Sequence, residues 1–178
     1  MNANQTLNTN RLALRPVAPS DVGAVWDIHS DPATNAHNPA GPMRDRFEAT
    51  KLAQDWSSDW MHDAIGYWAI ACVEAPERVI GFGGIRRTEL RGRQFYNLYY
   101  RLASSTWGQG YASELATEAV AQWARLRQRL PVIARTTPEN VASQKTAVRA
   151  GLHRRPDWDE IADGVTHIVF ALGFERER

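Results

Sequence analysis

The stretch "TWGQGYASELATEAVAQWA", residues 106 to 124, decides the fold because it sets two glycines directly before an amphipathic helix. Glycine inside a helix costs roughly 1 kcal/mol relative to alanine, so Gly108 and Gly110 must serve a tight turn or a close approach to the backbone. After Gly110, apolar residues recur at the three- and four-residue intervals of a helix with one face against a sheet. They are Ala112, Leu115, Ala116, Ala119, Val120, Trp123 and Ala124.

This glycine turn predicts an anion-binding site. The unpaired N–H groups that begin a helix carry about half a positive charge, and glycine lets an anion approach them closely. A P-loop would need a lysine followed by serine or threonine, and neither follows Gly110. A dinucleotide-binding turn would follow the first strand of a parallel unit, whereas this strand ends an antiparallel meander. The other glycine cluster, "GFGG" at 81–84, lies inside a strand and indicates a bulge or close packing.

The rest of the chain alternates between strand and helix patterns. Helices are predicted from Ser20 as N-cap to about residue 29, from Arg44 to His62, and from Asn140 to Gly151. Strands are predicted at 11–17, 66–73, 78–87, 94–102 and 131–137, with a final hairpin around Asp163-Gly164. The fold class is therefore α/β (α+β), with a mixed, largely antiparallel sheet of about seven strands flanked by about four helices.

Composition limits the classes of function. A chain of 178 residues with 43% hydrophobic and 23% charged residues is typical of one globular domain, here expected to span residues 1–178. A formal net charge of +1 argues against direct nucleic-acid binding. Cys72 is the single cysteine, so no internal disulfide can form, and a cytoplasmic location is expected. The sequence has no signal-peptide core or long apolar run, which predicts no membrane association.

Three motifs resemble one family, the GNAT superfamily of acyl-CoA-dependent N-acyltransferases. Its pyrophosphate signature is (Gln/Arg)-x-x-Gly-x-(Gly/Ala), and "WGQGYA" at 107–112 matches its last two defining positions, with Trp107 in place of Gln or Arg. "WGxGYAxE" is common in the ribosomal-protein N-terminal acetyltransferase branch. So are the opening "TNRLALRP" and an "N-x-x-S" motif followed by glycine, here Asn140, Ser143 and Gly151. The resemblance covers about residues 9 to 172.

The resemblance implies how coenzyme A would bind. The turn from Trp107 through Gly108, Gln109, Gly110 and Tyr111 to Ala112 would hold the pyrophosphate on its backbone amides. The strand ending at Tyr100-Arg101-Leu102 would splay from the next strand and pair with the pantetheine arm. One of its N–H groups would polarise the thioester carbonyl. Asn140 would contact the pantetheine arm, and it can also cap the helix that it begins.

The resemblance also implies candidate catalytic residues. Many family members have a tyrosine seven residues after the motif asparagine, a position occupied here by Ala147. In the ribosomal branch the motif serine protonates the leaving thiolate, which points to Ser143; the alternative is a serine that satisfies a backbone N–H. Glu160, four residues before Gly164, has the spacing of that branch's general base, although it can equally be a solvated hairpin charge. Asp159, His167 or a water relay are the reserves for the base.

The expected activity is direct transfer of an acetyl group from acetyl-CoA to a primary amine, with no metal ion. The amine can belong to a protein N-terminus or to a small molecule, and the chain to a monomer or a homodimer. The alternatives are another acyl-CoA donor or a non-catalytic acyl-CoA-binding module. Trp56 and Trp60 can pack in the core, or they can form part of the wall that binds the amine acceptor. A group of arginines around one turn suits solvation or an acidic acceptor: Arg86, Arg87, Arg91 and Arg93.

Overall fold

The computed structural model describes residues 6–126, 130–162 and 164–174, which contain nine strands and four α-helices. The strands are β1 Leu7–Asn8, β2 Leu12–Pro16, β3 Tyr67–Cys72, β4 Ala75–Leu90, β5 Arg93–Leu102, β6 Val132–Thr136, β7 His153–Arg154, β8 Glu160–Ala162 and β9 Val165–Leu172. The helices are α1 Val22–His29, α2 Arg46–Asp63, α3 Tyr111–Ala124 and α4 Val141–Arg149. No helix in this part of the chain is both long and apolar enough to cross a bilayer.

The strands form one sheet in the order β1-β2-β3-β4-β5-β6-β9-β7, with β8 paired to β9. Every pairing is antiparallel except that of β5 with β6. The predicted mixed, largely antiparallel sheet with four helices is therefore confirmed. The two strands beyond the predicted seven, β1 and β7, have two residues each and are too short to show a periodic pattern.

Two predicted details differ from the structure. Ser20 lies inside a short 3₁₀ turn, and the N-cap of α1 is Asp21, whose carboxylate accepts hydrogen bonds from Arg15 and from the Ala18 N–H. Gln122, which is not among the residues of the predicted apolar face of α3, is nevertheless buried, with 5% exposed. The final hairpin forms between β8 and β9, and Asp163, at its predicted turn, lies outside the described residues.

Helices cover both faces of the sheet. One buried cluster joins Val25 and Ile28 of α1 and Ala53 of α2 to the sheet, and another joins α3 and α4 to the opposite face. The strand glycines allow this packing: a Cβ on Gly83 would lie 2.7 Å from Leu115 Cδ2 in α3. The close-packing interpretation of the GFGG segment is confirmed.

The sheet opens between β5 and β6. Only Tyr96 and Asn97 of β5 pair with β6, opposite Val132 and Ile133, although β5 continues to Leu102 and β6 to Thr136. The expected splay of the two strands is confirmed, and it leaves a cleft in the middle of the sheet.

Candidate active site

A cavity of about 840 Å³ opens at this cleft. Its walls come from six segments: the loop at 33–39, the end of β5, the turn at 106–113, the end of β6, one side of α4 and, from β9, His167. The cavity therefore brings together almost all of the residues that the sequence predicts for coenzyme A and catalysis. Gln109 and Glu160 are absent from its lining.

The glycine turn has the geometry of an anion-binding site. Gly108 and Gly110 have φ angles of +76° and +82°, which side chains rarely adopt. Gly110 is the N-cap of α3 and provides no capping side chain, so the first N–H groups of the helix lack a side-chain partner. A Cβ on Gly108 would meet nothing within 4 Å, which shows open space beside the backbone.

Glu114 fastens this turn to the beginning of β2. Its carboxylate accepts hydrogen bonds from Thr9 Oγ1 at 2.6 Å and from the Arg11 backbone and Nε at 2.8 and 2.7 Å. Arg11 Nη1 also donates to the Gln109 carbonyl at 2.9 Å. Burial raises the pKa of Glu114, but the hydrogen bonds from Thr9 and Arg11 outweigh it and lower that pKa overall. Two of the sequence motifs are thus joined physically, by a contact that their separate patterns do not reveal.

Trp107 stands where the family signature has Gln or Arg, and it makes a different contact. Its indole N–H donates to the Leu102 carbonyl at 2.9 Å, while its ring is 52% exposed and lines the cavity. The indole therefore links the end of β5 to the turn. Leu102 is one of the residues expected to pair with the pantetheine arm, and its carbonyl already accepts this hydrogen bond.

The backbone of β5 is divided between its two neighbours. The Ala103 N–H donates to Ile80 O on one side and the Tyr96 N–H to Pro131 O on the other. Because antiparallel pairs alternate, Tyr100 and Leu102 direct their amides into the cleft, and Arg101 directs its own toward Phe82 of β4. The Tyr100 and Leu102 amides are thus free of β4 and face the cleft, whereas the Arg101 backbone is directed away from it.

Two polar residues on the β6 side face the same cleft. The Thr137 hydroxyl lines the cavity, is buried, and has no hydrogen-bond partner. Asn140 caps α4, with its Oδ1 accepting from the Ser143 N–H at 3.0 Å. Its amide nitrogen is left for a ligand, so capping and ligand contact are compatible. Thr137 carried no sequence signal.

Ser143 and Tyr100 form the central polar contact of the cavity. The Tyr100 hydroxyl lies 2.9 Å from Ser143 Oγ and 3.0 Å from the Ser143 carbonyl oxygen. Burial raises the pKa of Tyr100, so its phenol stays protonated at neutral pH. With Ala147 in the place of the usual family tyrosine, the Tyr100 phenol approaches the helix from the strand side. The phenol and the serine hydroxyl can pass one proton along this pair.

The opposite wall is a network around Arg101. Its Nη1 donates to Asn35 Oδ1 at 2.5 Å, and its guanidinium lies 5.9 Å from the centre of the Tyr99 ring. The buried His29 accepts at Nε2 from the Tyr99 hydroxyl, because its Nδ1 donates to the Val25 carbonyl. Burial and the Arg101 charge lower the pKa of His29 to about 4, so the ring is neutral.

The residues considered for the general base are unequally placed. Glu160 pairs with Arg135 at 3.1 Å and with Arg91 at 4.0 Å, outside the cavity lining. Asp159 is bound by Arg154, which lowers the pKa of that carboxyl. His167 is the cross-strand partner of Glu160 and lines the cavity. Of these three side chains, His167 belongs to the described cavity lining, and Glu160 and Asp159 do not.

The charge of the cavity is one-sided. Four cationic side chains line it, and none of the described lining residues is an aspartate or glutamate. The cations are Arg101, Arg135, Lys145 and Arg149. Such a lining attracts phosphates and disfavours an ammonium group, so it lowers the pKa of a bound amine.

Other singled-out residues lie away from the cavity. Trp56 and Trp60 are buried core residues. Arg86 and Arg87 pair with Asp59 and Asp63 of α2 at the outer end of the β4–β5 hairpin. Among the residues that the structure describes, no cluster of His, Cys, Asp or Glu has the size of a metal site.

Comparison with known proteins agrees with this geometry. A family model described as the acetyltransferase (GNAT) domain matches residues 11–153. An acetyltransferase of Agrobacterium tumefaciens str. C58 is 26% identical over 96% of this chain and 95% of its own, with a TM-score of 0.76.

Two further structures are similar in fold. A GNAT-family protein of Bordetella pertussis is 21% identical over 96% of this chain and all of its own, with a TM-score of 0.80. A ribosomal L7/L12 alpha-N-protein acetyltransferase is 18% identical over 94% of this chain and 97% of its own, with a TM-score of 0.76. Since the family model covers most of its length, the chain belongs to the GNAT acetyltransferases.

Proposed function

We propose that the protein transfers the acetyl group of acetyl-CoA directly to a primary amine. One observation carries the proposal: the glycine turn, the open backbone of β5 and the Tyr100–Ser143 pair line one cationic cavity. Transfer requires that a phosphate-rich donor and an amine meet beside a group that donates a proton. The turn and the β5 backbone would bind the donor, and the Tyr100–Ser143 pair would donate the proton.

The donor half of the cavity fits coenzyme A. The uncapped N–H groups of α3 would bind the pyrophosphate, and the exposed Lys145 and Arg149 add positive charge near the phosphates. The amides of Tyr100 and Leu102, with the orphaned Thr137 hydroxyl and the Asn140 amide, would satisfy the pantetheine arm. The similar ribosomal L7/L12 acetyltransferase was solved in complex with coenzyme A, which supports this assignment.

The Tyr100–Ser143 pair would supply the proton that the departing thiolate needs. When Tyr100 donates to Ser143 Oγ, the serine proton is free to point into the cleft. The thiolate takes the serine proton, and the phenol replenishes the serine. An amide N–H of Tyr100 or Leu102 would stabilise negative charge that develops on the thioester oxygen.

The amine must lose a proton to become nucleophilic. The cationic lining lowers the pKa of a bound ammonium. The group that removes its proton can therefore be a weak base. His167 or a water molecule in the cavity would take that proton. The role of Glu160 as general base stays a prediction, and its position favours an ion pair with Arg135.

The nature of the amine stays open between a protein N-terminus and a small molecule. A different acyl-CoA donor is the alternative within the family. The cytoplasmic location, the single domain over residues 1–178 and the choice between monomer and homodimer stay predictions from the sequence.

A thiol-release assay tests the proposal. Acetyl-CoA is incubated with the protein and a panel of amines and N-terminal peptides, and the products are weighed by mass spectrometry. We expect thiol release that depends on the amine, and a gain of about 42 Da on one amine, since an acetyl group replaces one of its hydrogen atoms. Tight CoA binding without thiol release for any amine would contradict the proposal and indicate a non-catalytic acyl-CoA-binding module.

A further inference from the structure

The cavity wall opposite the Tyr100–Ser143 pair, formed by the 33–39 loop and Arg101, contains a half-buried cation. Arg101 lines the cavity and forms no ion pair among the described residues. By contrast, the cavity arginine Arg135 pairs with Glu160, and Arg15 and Arg86 pair with nearby aspartates. Arg149 also lacks an ion pair in the described part of the chain, but it is exposed to solvent. Because partial burial makes an unpaired charge costly, Arg101 is suited to a ligand.

Asn35 holds this guanidinium in a fixed position. It is 5% exposed, and its amide nitrogen donates to the carbonyls of His29 and Asp31, each at 2.8 Å. These bonds fix which end of the amide is oxygen, so Oδ1 can only accept. It accepts from Arg101 Nη1 and from Asn38 Nδ2. One N–H of Arg101 is thus anchored by Asn35, and the guanidinium also contacts the Tyr99 side chain. A guanidinium has five N–H donors, so these two contacts leave donors for a ligand.

The position of Arg101 on β5 places it on the acceptor side. Successive side chains of a strand point to opposite faces, so Tyr100 reaches Ser143 while Arg101 faces the 33–39 loop. The thiol end of the donor lies beside Tyr100 in the proposed function. An amine that reaches that point from the 33–39 loop would bring its neighbouring groups to Arg101.

We infer that the acceptor is an amine that carries a carboxylate a few bonds away, and that Arg101, held by Asn35, binds this carboxylate. The inference rests on the proposed function and adds the class of acceptor. A guanidinium binds a carboxylate through parallel charge-assisted hydrogen bonds, which gives both affinity and orientation. The carboxylate can be an acidic side chain at the second position of a peptide or the carboxylate of an amino acid.

The test compares acceptors that differ only in charge. The acceptors are the dipeptide amides Ala-Glu-NH₂ and Ala-Gln-NH₂, whose amines are nearly equivalent, with free glutamate as the amino-acid source. We expect kcat/KM to favour Ala-Glu-NH₂ over Ala-Gln-NH₂ by about tenfold or more. Free glutamate is acetylated faster than Ala-Glu-NH₂ if the carboxylate comes from an amino acid, and slower if it comes from a peptide.

The Arg101 variants decide the role of the guanidinium. Arg101→Gln should reduce the preference to less than about twofold, mainly by slowing Ala-Glu-NH₂. Arg101→Glu should make Ala-Lys-NH₂ the better acceptor. Arg87→Gln removes an arginine of the β4–β5 hairpin outside the cavity and should retain the preference, which excludes an effect of net charge.

The outcomes separate this inference from the proposed function. Transfer to all of these acceptors at similar rates, or an unchanged preference in Arg101→Gln, would overturn the inference and leave N-acetyl transfer standing. The absence of transfer to any amine would overturn both.

Discussion

The two ends of the cavity are built from different materials. At the proposed donor end, the pyrophosphate would contact the backbone of one continuous stretch, the turn at Gly108 to Ala112 with the first amides of α3. Side chains such as Lys145 and Thr137 would add to this backbone site. The acceptor end uses side chains that lie far apart in the sequence, such as Asn35 with Arg101 and His29 with Tyr99. Backbone contacts recognise a group common to all acyl-CoA donors, whereas side chains can vary to choose one amine.

The largest expected effect on coenzyme A binding is at the donor end. Gly110→Val should weaken CoA binding by about 100-fold or more, equivalent to about 2.7 kcal/mol. The added branched side chain strains a φ of +82° and obstructs the amides. Calorimetry with CoA measures the loss.

Gly92→Val is the matched control, since Gly92 has a φ of +70° in the β4–β5 turn, outside the cavity lining. It should lose comparable folding stability and retain CoA affinity. Equal CoA affinity in the two variants would show that the turn at Gly108 to Ala112 does not bind the pyrophosphate.

The largest expected effect on turnover concerns the Tyr100–Ser143 contact between the two ends. Ser143→Ala should lower kcat by about 10²- to 10⁴-fold and leave the Kd for acetyl-CoA nearly unchanged, because the lost proton transfer belongs to the transition state. Tyr100→Phe should have a smaller effect, and the double variant should be little worse than Ser143→Ala alone. Steady-state kinetics and calorimetry check this.

A loss of acetyl-CoA affinity equal to the loss of kcat would assign Ser143 to binding or to structure. Fully additive losses in the double variant would mean that Tyr100 acts independently of the serine.

A smaller effect is expected from the attachment of the turn to β2. Glu114→Gln should weaken CoA binding by roughly three- to tenfold, since it loses charge-assisted hydrogen bonds from Thr9 and Arg11. Glu118→Gln, which breaks the Arg125 pair on the same helix, should leave CoA affinity unchanged. Similar CoA affinities in the two variants would show that Glu114 does not support CoA binding by the turn.

The same carboxylate contributes a pH dependence. Because the fold lowers the pKa of Glu114, its stabilisation is complete above the ordinary carboxyl value of about 4.3. It is lost as pH falls through the lowered pKa. Denaturant unfolding should therefore show a shallower acid loss in Glu114→Gln than in the native protein.

The smallest expected effect is that of Glu160→Gln. The Arg135 and Arg91 pairs place this carboxylate at a partly exposed ion pair, which is worth about 0 to 1 kcal/mol. Turnover should fall by less than about threefold at any pH, as pH-rate profiles would show. A loss of 100-fold that is partly restored at high pH would establish Glu160 as the base.

The unequal construction of the two ends explains what the sequence could predict. Gly108 and Gly110 lie two residues apart, and glycine is the residue type that adopts a positive φ most readily, so the turn could be predicted. The Trp107 indole on the Leu102 carbonyl and the Tyr100 phenol on Ser143 join separate segments, and no local pattern encodes them. The alternation along β5 turns the backbone of Arg101 toward β4, a consequence of register that follows only from the assembled sheet.

The most direct test of separate donor and acceptor ends is a double-mutant cycle with Gly108→Ala and Arg101→Gln. CoA affinity and the preference for Ala-Glu-NH₂ over Ala-Gln-NH₂ are measured in all four proteins. Gly108→Ala should weaken CoA and retain the preference, Arg101→Gln should do the reverse, and the effects should add to within about 0.5 kcal/mol. Loss of CoA affinity in Arg101→Gln, or loss of the preference in Gly108→Ala, would contradict the account.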